Sequence, residues 1–340
     1  MKKINIFANR TIFYIVPLAI VLVMIICGLC YQLGSNKQYF ANIGIDFQGG
    51  TILTIEFKDE VANSANYKKN VEAIQKIAEK NDVNISRDQS SGTSTIIVQY
   101  TNWNTGKGGA VNSADDMSTI NSAIQNDLYA ISGTEIDTIV DNGVNFSTIG
   151  NESSKNLIKT SAIAVSIALV LMLLYIIIRF DFYSGLAAVV ALLHDIIIMI
   201  SLTVIFYVEI GDSIVAGLIT IVAYSINNTI VVFDKIRSVV KPLNKQRKKY
   251  EVAPIINNAI YSTMTRTLYT TLTTLVVMIV LVAMGVASII TFGLPIIFGL
   301  IAGFYSSVFI AAPLWGEFKL LGEKIKTNRA NKKFKKKQRA

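Results

Sequence analysis

The stretch Asp212–Lys235, DSIVAGLITIVAYSINNTIVVFDK, is long and apolar enough to cross a bilayer, yet it carries Tyr224, Ser225, Asn227, Asn228 and Thr229 within it. Polar groups in hydrocarbon cost free energy unless they are paired, so they face a bundle interior or a wet path. A simple anchor has no need of them. The chain therefore reads as a membrane protein that works within its spans, not as a tethered soluble domain.

The rest of the sequence supplies the bundle. Hydrophobic residues make up 52% of the 340 and charged residues 16%, which excludes an ordinary soluble domain. Six apolar stretches exceed roughly 18 residues: Thr11–Tyr31, Leu157–Ile178, Gly185–Tyr207, Ser213–Phe233, Thr267–Met284 and Ser288–Leu314. The first is too long for a signal-peptide core and no A-x-A-like site follows, so it is expected to remain as an anchor. Its Cys27 and Cys30 are expected to be packing residues, not a disulfide or metal pair.

Basic residues set the orientation. With the N-terminus inside, inner segments hold 22 of the 32 Lys and Arg, and the outer segment holds ten against fifteen acids. The expected division is a cytoplasmic N-terminus and first span at 1–31, an outer domain at 32–156, spans two to six at 157–316 and a basic cytoplasmic tail at 317–340. The tail, ending KKFKKKQRA, is expected to serve as a positive-inside signal that also touches anionic lipid or ribosomal RNA, with no specific nucleic-acid role.

The outer segment reads strand, helix, strand, strand, helix, strand. Gly44–Phe57 alternates after a Gly49-Gly50 break, Tyr67–Lys80 and Asp115–Ala130 have helical spacing, and Val83–Arg87, Thr95–Thr101 and Glu135–Phe146 read as strands. That order predicts a ferredoxin-like α+β domain. Its expected core holds Val71, Ile74, Ile77, Ile96, Val98, Ile120, Ile124 and Leu128. Asn102–Ser113 is a Gly- and Asn-rich loop, and its GKGG lacks the Walker spacing.

Catalysis finds little support. His194 is the one histidine, so an H-E-x-x-H zinc site is impossible, and no G-x-S-x-G elbow occurs. Neither metal nor cofactor is expected. The intramembrane polar residues are more telling. His194 and Asp195 lie near the bilayer midplane, about 17–20 Å along the third span at 1.5 Å per residue. Two roles are open to them: a hydrogen-bonded lock between helices, or part of a proton relay. Tyr224, Asn227 or Asn228, and Val231 share a face. Arg266 opens the fifth span as a flanking charge or an inward-facing cation. Asp234 falls at the inner edge of the fourth. Gly299 and Gly303, with Ser306 and Ser307, give the sixth span a small-residue face for close packing.

Five ordered motifs resemble the SecD/SecF family of protein-export membrane proteins, within the resistance-nodulation-division superfamily. They are GIDFQGGTILTIEF (Gly44–Phe57), RFDFYSGLAAVVALLHDIIIMISL (Arg179–Leu202), AYSINNTIVVFDKIR (Ala223–Arg237), TRTLYTTLTTL (Thr265–Leu275) and GLIAGFYSSVFIAAPLW (Gly299–Trp315). The resemblance covers nearly the whole chain. It implies a polytopic α-helical protein of six spans, half of a twelve-span bundle, with the ferredoxin-like domain outside the bacterial plasma membrane between spans one and two. It also implies pairing with a SecD-like subunit, association with the SecYEG channel, and export of preproteins driven by the ion motive force. Asp46 and Gln48, beside Gly49-Gly50, are then expected near the membrane, where domain movement reaches the spans. His194, Asp195, Tyr224, Ser225, Asn227, Asn228, Asp234 and Arg266 are the intramembrane residues in question. Asp195, His194, Asn227, Asn228 and Arg266 are expected in one buried cluster facing the partner.

One departure matters. Asn228 stands where the family motif has the acid that carries the proton, and an amide does not titrate near neutral pH. The partner then supplies the titrating acid, or Asn228 ligates Na⁺, or the subunit works with little ion coupling; the first is favoured. Other function classes are a half-transporter for small molecules or lipids and a passive translocon scaffold. The topology is testable. In a chain lacking Cys27 and Cys30, single cysteines at Ser91 and Ser122 should be labelled from outside intact cells and a tail cysteine should not; the reverse pattern would invert the topology.

Overall fold

A computed structural model describes residues 5–34, 40–61, 64–81, 83–101, 114–246 and 250–337. The Gly- and Asn-rich loop expected at 102–113 lies outside them. Among the described residues, six helical segments are long and apolar enough to cross a membrane. In chain order the elements are α1 (Arg10–Gly34), α2 (Ile45–Gln48), β1 (Gly50–Phe57), α3 (Ser64–Lys80), β2 (Asn84–Ser91), β3 (Thr95–Thr101), α4 (Ala114–Ile131), β4 (Ile139–Ile149), α5 (Asn151–Arg179), α6 (Phe182–Ile205), α7 (Ser213–Lys245), α8 (Val252–Ala283), α9 (Ala287–Ser306), a π-helical turn (Ser307–Ala311) and α10 (Ala312–Lys337). Spans one to five are α1 and α5 to α8. The sixth begins in α9, passes through the π turn and enters α10.

The spans differ sharply in how much protein surrounds them. Half of the apolar window of α6 is buried and two thirds of that of the sixth span, against 6% in each of α1 and α5. Helices α6, α7 and α9 form the inner bundle, and α1, α5 and α8 flank it. Cys27 is half-buried and Cys30 exposed on α1, so the second cysteine does not pack as expected.

The domain between α1 and α5 is built on a four-stranded antiparallel sheet in the order β2-β3-β1-β4, with α3 and α4 as its crossovers. This is the ferredoxin-like arrangement, in which each βαβ half places its strands around a shared centre. Alternation along β1 and β3 turns Leu53, Ile55, Ile96 and Val98 into the core, against Ile74 and Ile77 of α3 and Ile124 and Leu128 of α4. Val71 and Ile120 pack at the edge of that core, partly buried. The segment before the Gly-Gly break is not strand: Ile45–Gln48 makes a single helical turn, closed by Gly49 at φ 78°. Only the residues after the break pair in the sheet. The last strand starts four residues later than the alternation suggests and runs to Ile149, where Gly150 leads directly into α5.

A clasp joins this domain to the bundle. The Gly44 N–H donates to the Ile210 carbonyl (3.0 Å), and the Ile210 N–H to the Asn42 carbonyl (2.8 Å), so Ile43 and Ile210 form a parallel bridge. Beside it, buried Glu209 accepts from Gln99 Nε2 (2.8 Å) and Arg87 Nη1 (2.5 Å), both on sheet strands. The Asp212 N–H donates to Asp46 Oδ2 (3.1 Å). The α6–α7 connection is thus held against both the start of the domain and its sheet.

Burial pushes the Asp46 carboxyl above the ordinary carboxylate range; the Asp212 N–H opposes this and the nearby Asp212 charge adds to it. A raised folded-state pKa means that the folded state binds this proton more tightly than the unfolded chain does. Its contribution to stability therefore falls as pH rises through the folded pKa. Asp46→Asn keeps an oxygen acceptor and removes the charge. In detergent at pH 7 the variant should melt no lower than the parent, and its relative advantage should shrink toward pH 4; a variant equally destabilised at both pH values would contradict this.

Candidate functional site

The inner bundle is organised around Asp195. Along α6, Ala188, Ala191, Leu192, Asp195, Ile198 and Met199 share the buried face, so a carboxylate occupies an otherwise apolar stripe. Asp195 is 1% exposed. Its Oδ1 lies 2.9 Å from Nδ1 of His194. Its Oδ2 accepts from the Ser306 hydroxyl of α9 (2.9 Å) and from the Ser225 hydroxyl of α7. Three neighbouring groups therefore converge on one carboxyl from three helices. The other imidazole nitrogen, Nε2, is buried without a hydrogen-bond partner among the described residues, and the ring stacks near Tyr305 at 6.1 Å between centroids.

The small residues of α9 bring these hydroxyls within reach. Gly299 lies against Ile221 of α7, with no room for a Cβ, and a Cβ on Gly303 would come 3.1 Å from that of Ser225. Gly303, Ser225 and Ser306 thus belong to one contact, in which close backbone approach lets two short side chains reach Asp195. Ser307 instead bonds to the Phe304 carbonyl of its own helix (3.0 Å), at the start of the π turn.

A second polar seam joins α7 to α8. The Tyr224 hydroxyl donates to the Thr270 carbonyl (2.7 Å) and accepts from the Thr274 hydroxyl (3.2 Å). Asn228, 2% exposed, donates from Nδ2 to Thr271 Oγ1 (3.4 Å). Tyr224 and Asn228, four residues apart, are the pair that shares this face.

The single cluster expected of Asp195, His194, Asn227, Asn228 and Arg266 is therefore divided. His194, Asp195, Ser225 and Ser306 come together; Tyr224 and Asn228 join the threonines of α8; Asn227 and Arg266 are exposed on the outside of the chain. Helical geometry explains the division, because Asn227 is rotated about 100° from Asn228. Asp234 is also exposed, at the end of the bundle away from the sheet, with Arg179 Nη2 4.0 Å from it. At the other end, Asp46 and Gln48 are half-buried and Gly49 and Gly50 buried where α2 meets the bundle.

Sequence inspection missed Thr270, Thr271 and Thr274, although their spacing with Thr267 marks one helical face. It also missed Glu209, a lone acid in the short connection between two apolar runs, together with Arg87 and Gln99.

These features define a class: a polytopic membrane protein of six spans, bearing one ferredoxin-like domain and a carboxylate-centred polar core. Residues 132–320 match the family described as protein export membrane protein SecD/SecF, C-terminal, and residues 42–61 match the SecD/SecF GG motif. The chain is 30% identical over 298 residues to the protein translocase subunit SecF of Helicobacter pylori, covering 88% of this chain and 82% of that protein. The counterpart from Sebaldella termitidis is 31% identical over 273 residues, 80% of each. The crystal structure of SecDF, a translocon-associated membrane protein from Thermus thermophilus, superposes with a TM-score of 0.69 at 25% identity, over 93% of this chain and 39% of that one. SecDF in its super-membrane-facing form gives 0.58 at 25% identity, over 98% of this chain and 40% of that one. The chain belongs to the SecD/SecF family.

The contact between α7 and α9 should be the sensitive one. Ser306→Ala removes one of several donors and should cost about 0.6 kcal/mol, the mean for hydrogen bonds within membranes. Gly303→Leu forces a side chain into Ser225 and should lower the melting temperature in detergent far more. Equal effects of the two would show that close approach does not hold this contact.

Proposed function

We propose that the chain is the SecF-type accessory subunit of the Sec export machinery, lying in the bacterial plasma membrane with both termini inside and pairing with a SecD-like subunit. The translocase names of its relatives favour this over a half-transporter or a passive scaffold. The chain spans about two fifths of the SecDF chain, which leaves room there for a second half. On this reading residues 32–156 form the extracytoplasmic domain, the SecYEG channel and the translocating preprotein are its further partners, and the subunit has no catalytic chemistry of its own.

The observation that carries the pairing is the polar outer face of α7 and α8. Asn227, Arg266, Thr270 and Thr273 are all exposed on this chain at membrane depth. The hydroxyls of Thr270 and Thr273 donate to carbonyls of their own helix, but facing lipid, Asn227 and Arg266 would each carry the cost of an unsatisfied polar group. A second six-span bundle, offering acids and amides, removes that cost.

Ion coupling then divides between the two subunits. Asn228 cannot load a proton, so the titrating acid comes from the partner's side of the interface. Asp195 ties together the helices against which that interface works. Moving one charge across 100 mV releases about 2.3 kcal/mol, enough to bias a conformational step. In vesicles containing the SecD-like partner, Asp195→Asn should reduce gradient-stimulated preprotein translocation and Asp234→Asn should change it little. Asn228→Asp should shift its pH dependence. Unchanged stimulation in Asp195→Asn, with no pH shift in Asn228→Asp, would remove this assignment.

A further inference from the structure

At the end of the bundle away from the sheet, two adjoining clefts of about 450 and 510 Å³ open beside the last turns of α7 and share Arg237, Lys241 and Lys245. We propose that the first is a binding site for an anionic phospholipid of the adjacent leaflet, with the phosphate held by Lys241, Lys245 and Lys319 and the hydrocarbon lying on the apolar floor.

The floor is made by Phe180, Phe233, Ile236, Val240 and Trp315. Phe180 lies at the break between α5 and α6, where Asp181 caps α6 by accepting from the Ser184 N–H (3.3 Å). Phe233, Ile236 and Val240 are the buried face of α7, and the basic residues Arg237, Lys241 and Lys245 follow at four-residue spacing beside them. At 1.5 Å per residue, Arg237 and Lys241 stand about 6 and 12 Å beyond Phe233. The cations therefore begin where an apolar span gives way to headgroups.

The charges do not cancel within the cleft. Its one acid, Asp181, is engaged as the cap of α6, and Asp234 of the neighbouring cleft faces Arg179. Arg237 is held in place, donating to the Arg179 carbonyl (2.6 Å) with its guanidinium 5.7 Å from the Phe180 ring. Lys319 reaches from α10 across the rings of Trp315 and Tyr250, at 5.1 and 5.0 Å. Lys241 and Lys245 have no ion-pair partner among the described residues. Flanking lysines that merely extend into water would diverge. Here cations from two helices surround one apolar concavity, which suits an amphiphile better than a soluble anion.

The test is native mass spectrometry of the full chain in neutral detergent, titrated with phosphatidylglycerol, phosphatidylcholine or glycerol phosphate. Phosphatidylglycerol should bind in preference to phosphatidylcholine, and glycerol phosphate should not displace it at equal concentration. Lys241→Gln/Lys245→Gln should weaken phosphatidylglycerol binding by about 30-fold, from two surface charges. The tail variant Lys332→Gln/Lys333→Gln, matched in charge, should bind like the parent. Should the cleft variant melt at a lower temperature, Lys319→Gln on the opposite wall is measured instead and should also weaken binding. Equal binding of phosphatidylcholine, displacement by glycerol phosphate, full retention in the cleft variants, or an equal loss in the tail variant would each overturn the proposal.

Discussion

A carboxylate in hydrocarbon must be satisfied by its neighbours or by water, and in this bundle the neighbours supply it. Asp195 receives the hydroxyls of Ser225 and Ser306 and lies beside the imidazole of His194, which links α6, α7 and α9. In a membrane, apolar packing alone gives helices little reason to prefer one another over lipid, so specific polar contacts and close backbone approach decide the arrangement. The contact of Gly303 with Ser225 meets both demands at one place. The flanking spans α1 and α5 are largely open, only 6% of the apolar window of each being buried, while α8 is tied to α7 by its threonines.

This division of labour orders the rest of the chain. Polar residues turned inward by the helical period, Asp195, Ser225, Ser306 and Asn228, find partners within the chain. Those one residue away, Asn227 beside Asn228 and Arg266 beside Thr267, point outward. The same helices thus supply an internal lock and an external polar surface. Asn228 is buried and hydrogen-bonded to Thr271, so this contact between α7 and α8 holds without a titrating group at that point.

Much of this was legible in the sequence, because bilayers enforce length and apolarity. The span positions, the strand–helix order and most of the sheet core follow from period and composition; Thr95–Thr101 coincides with its strand. The helices run beyond their apolar cores, as α7 does to Lys245, because hydropathy marks the hydrocarbon and not the helix end. The Ile45–Gln48 turn escaped notice because four residues are too few for a period. The grouping of the polar site was legible only in part. Residue type identified Asp195 and Asn228, but helix rotation decides which residues meet. Glu209, Arg87 and Gln99 are distant in sequence, and only the fold brings them together.

The clasp at Glu209 has a mechanical consequence. The sheet domain is covalently joined to the bundle at two places, and a body attached at two points keeps one free axis of rotation. At one of these, Gly150 separates β4 from α5 with almost no slack. Ile43 with Ile210 lies at the first of these joints in chain order, and Glu209 with Arg87 and Gln99 adds a third attachment, through the sheet, to the α6–α7 connection. A third point off that line removes the axis. Torque on the domain therefore passes into the α6–α7 connection as well as along the chain, and without the Glu209 contacts the covalent joints alone would carry it.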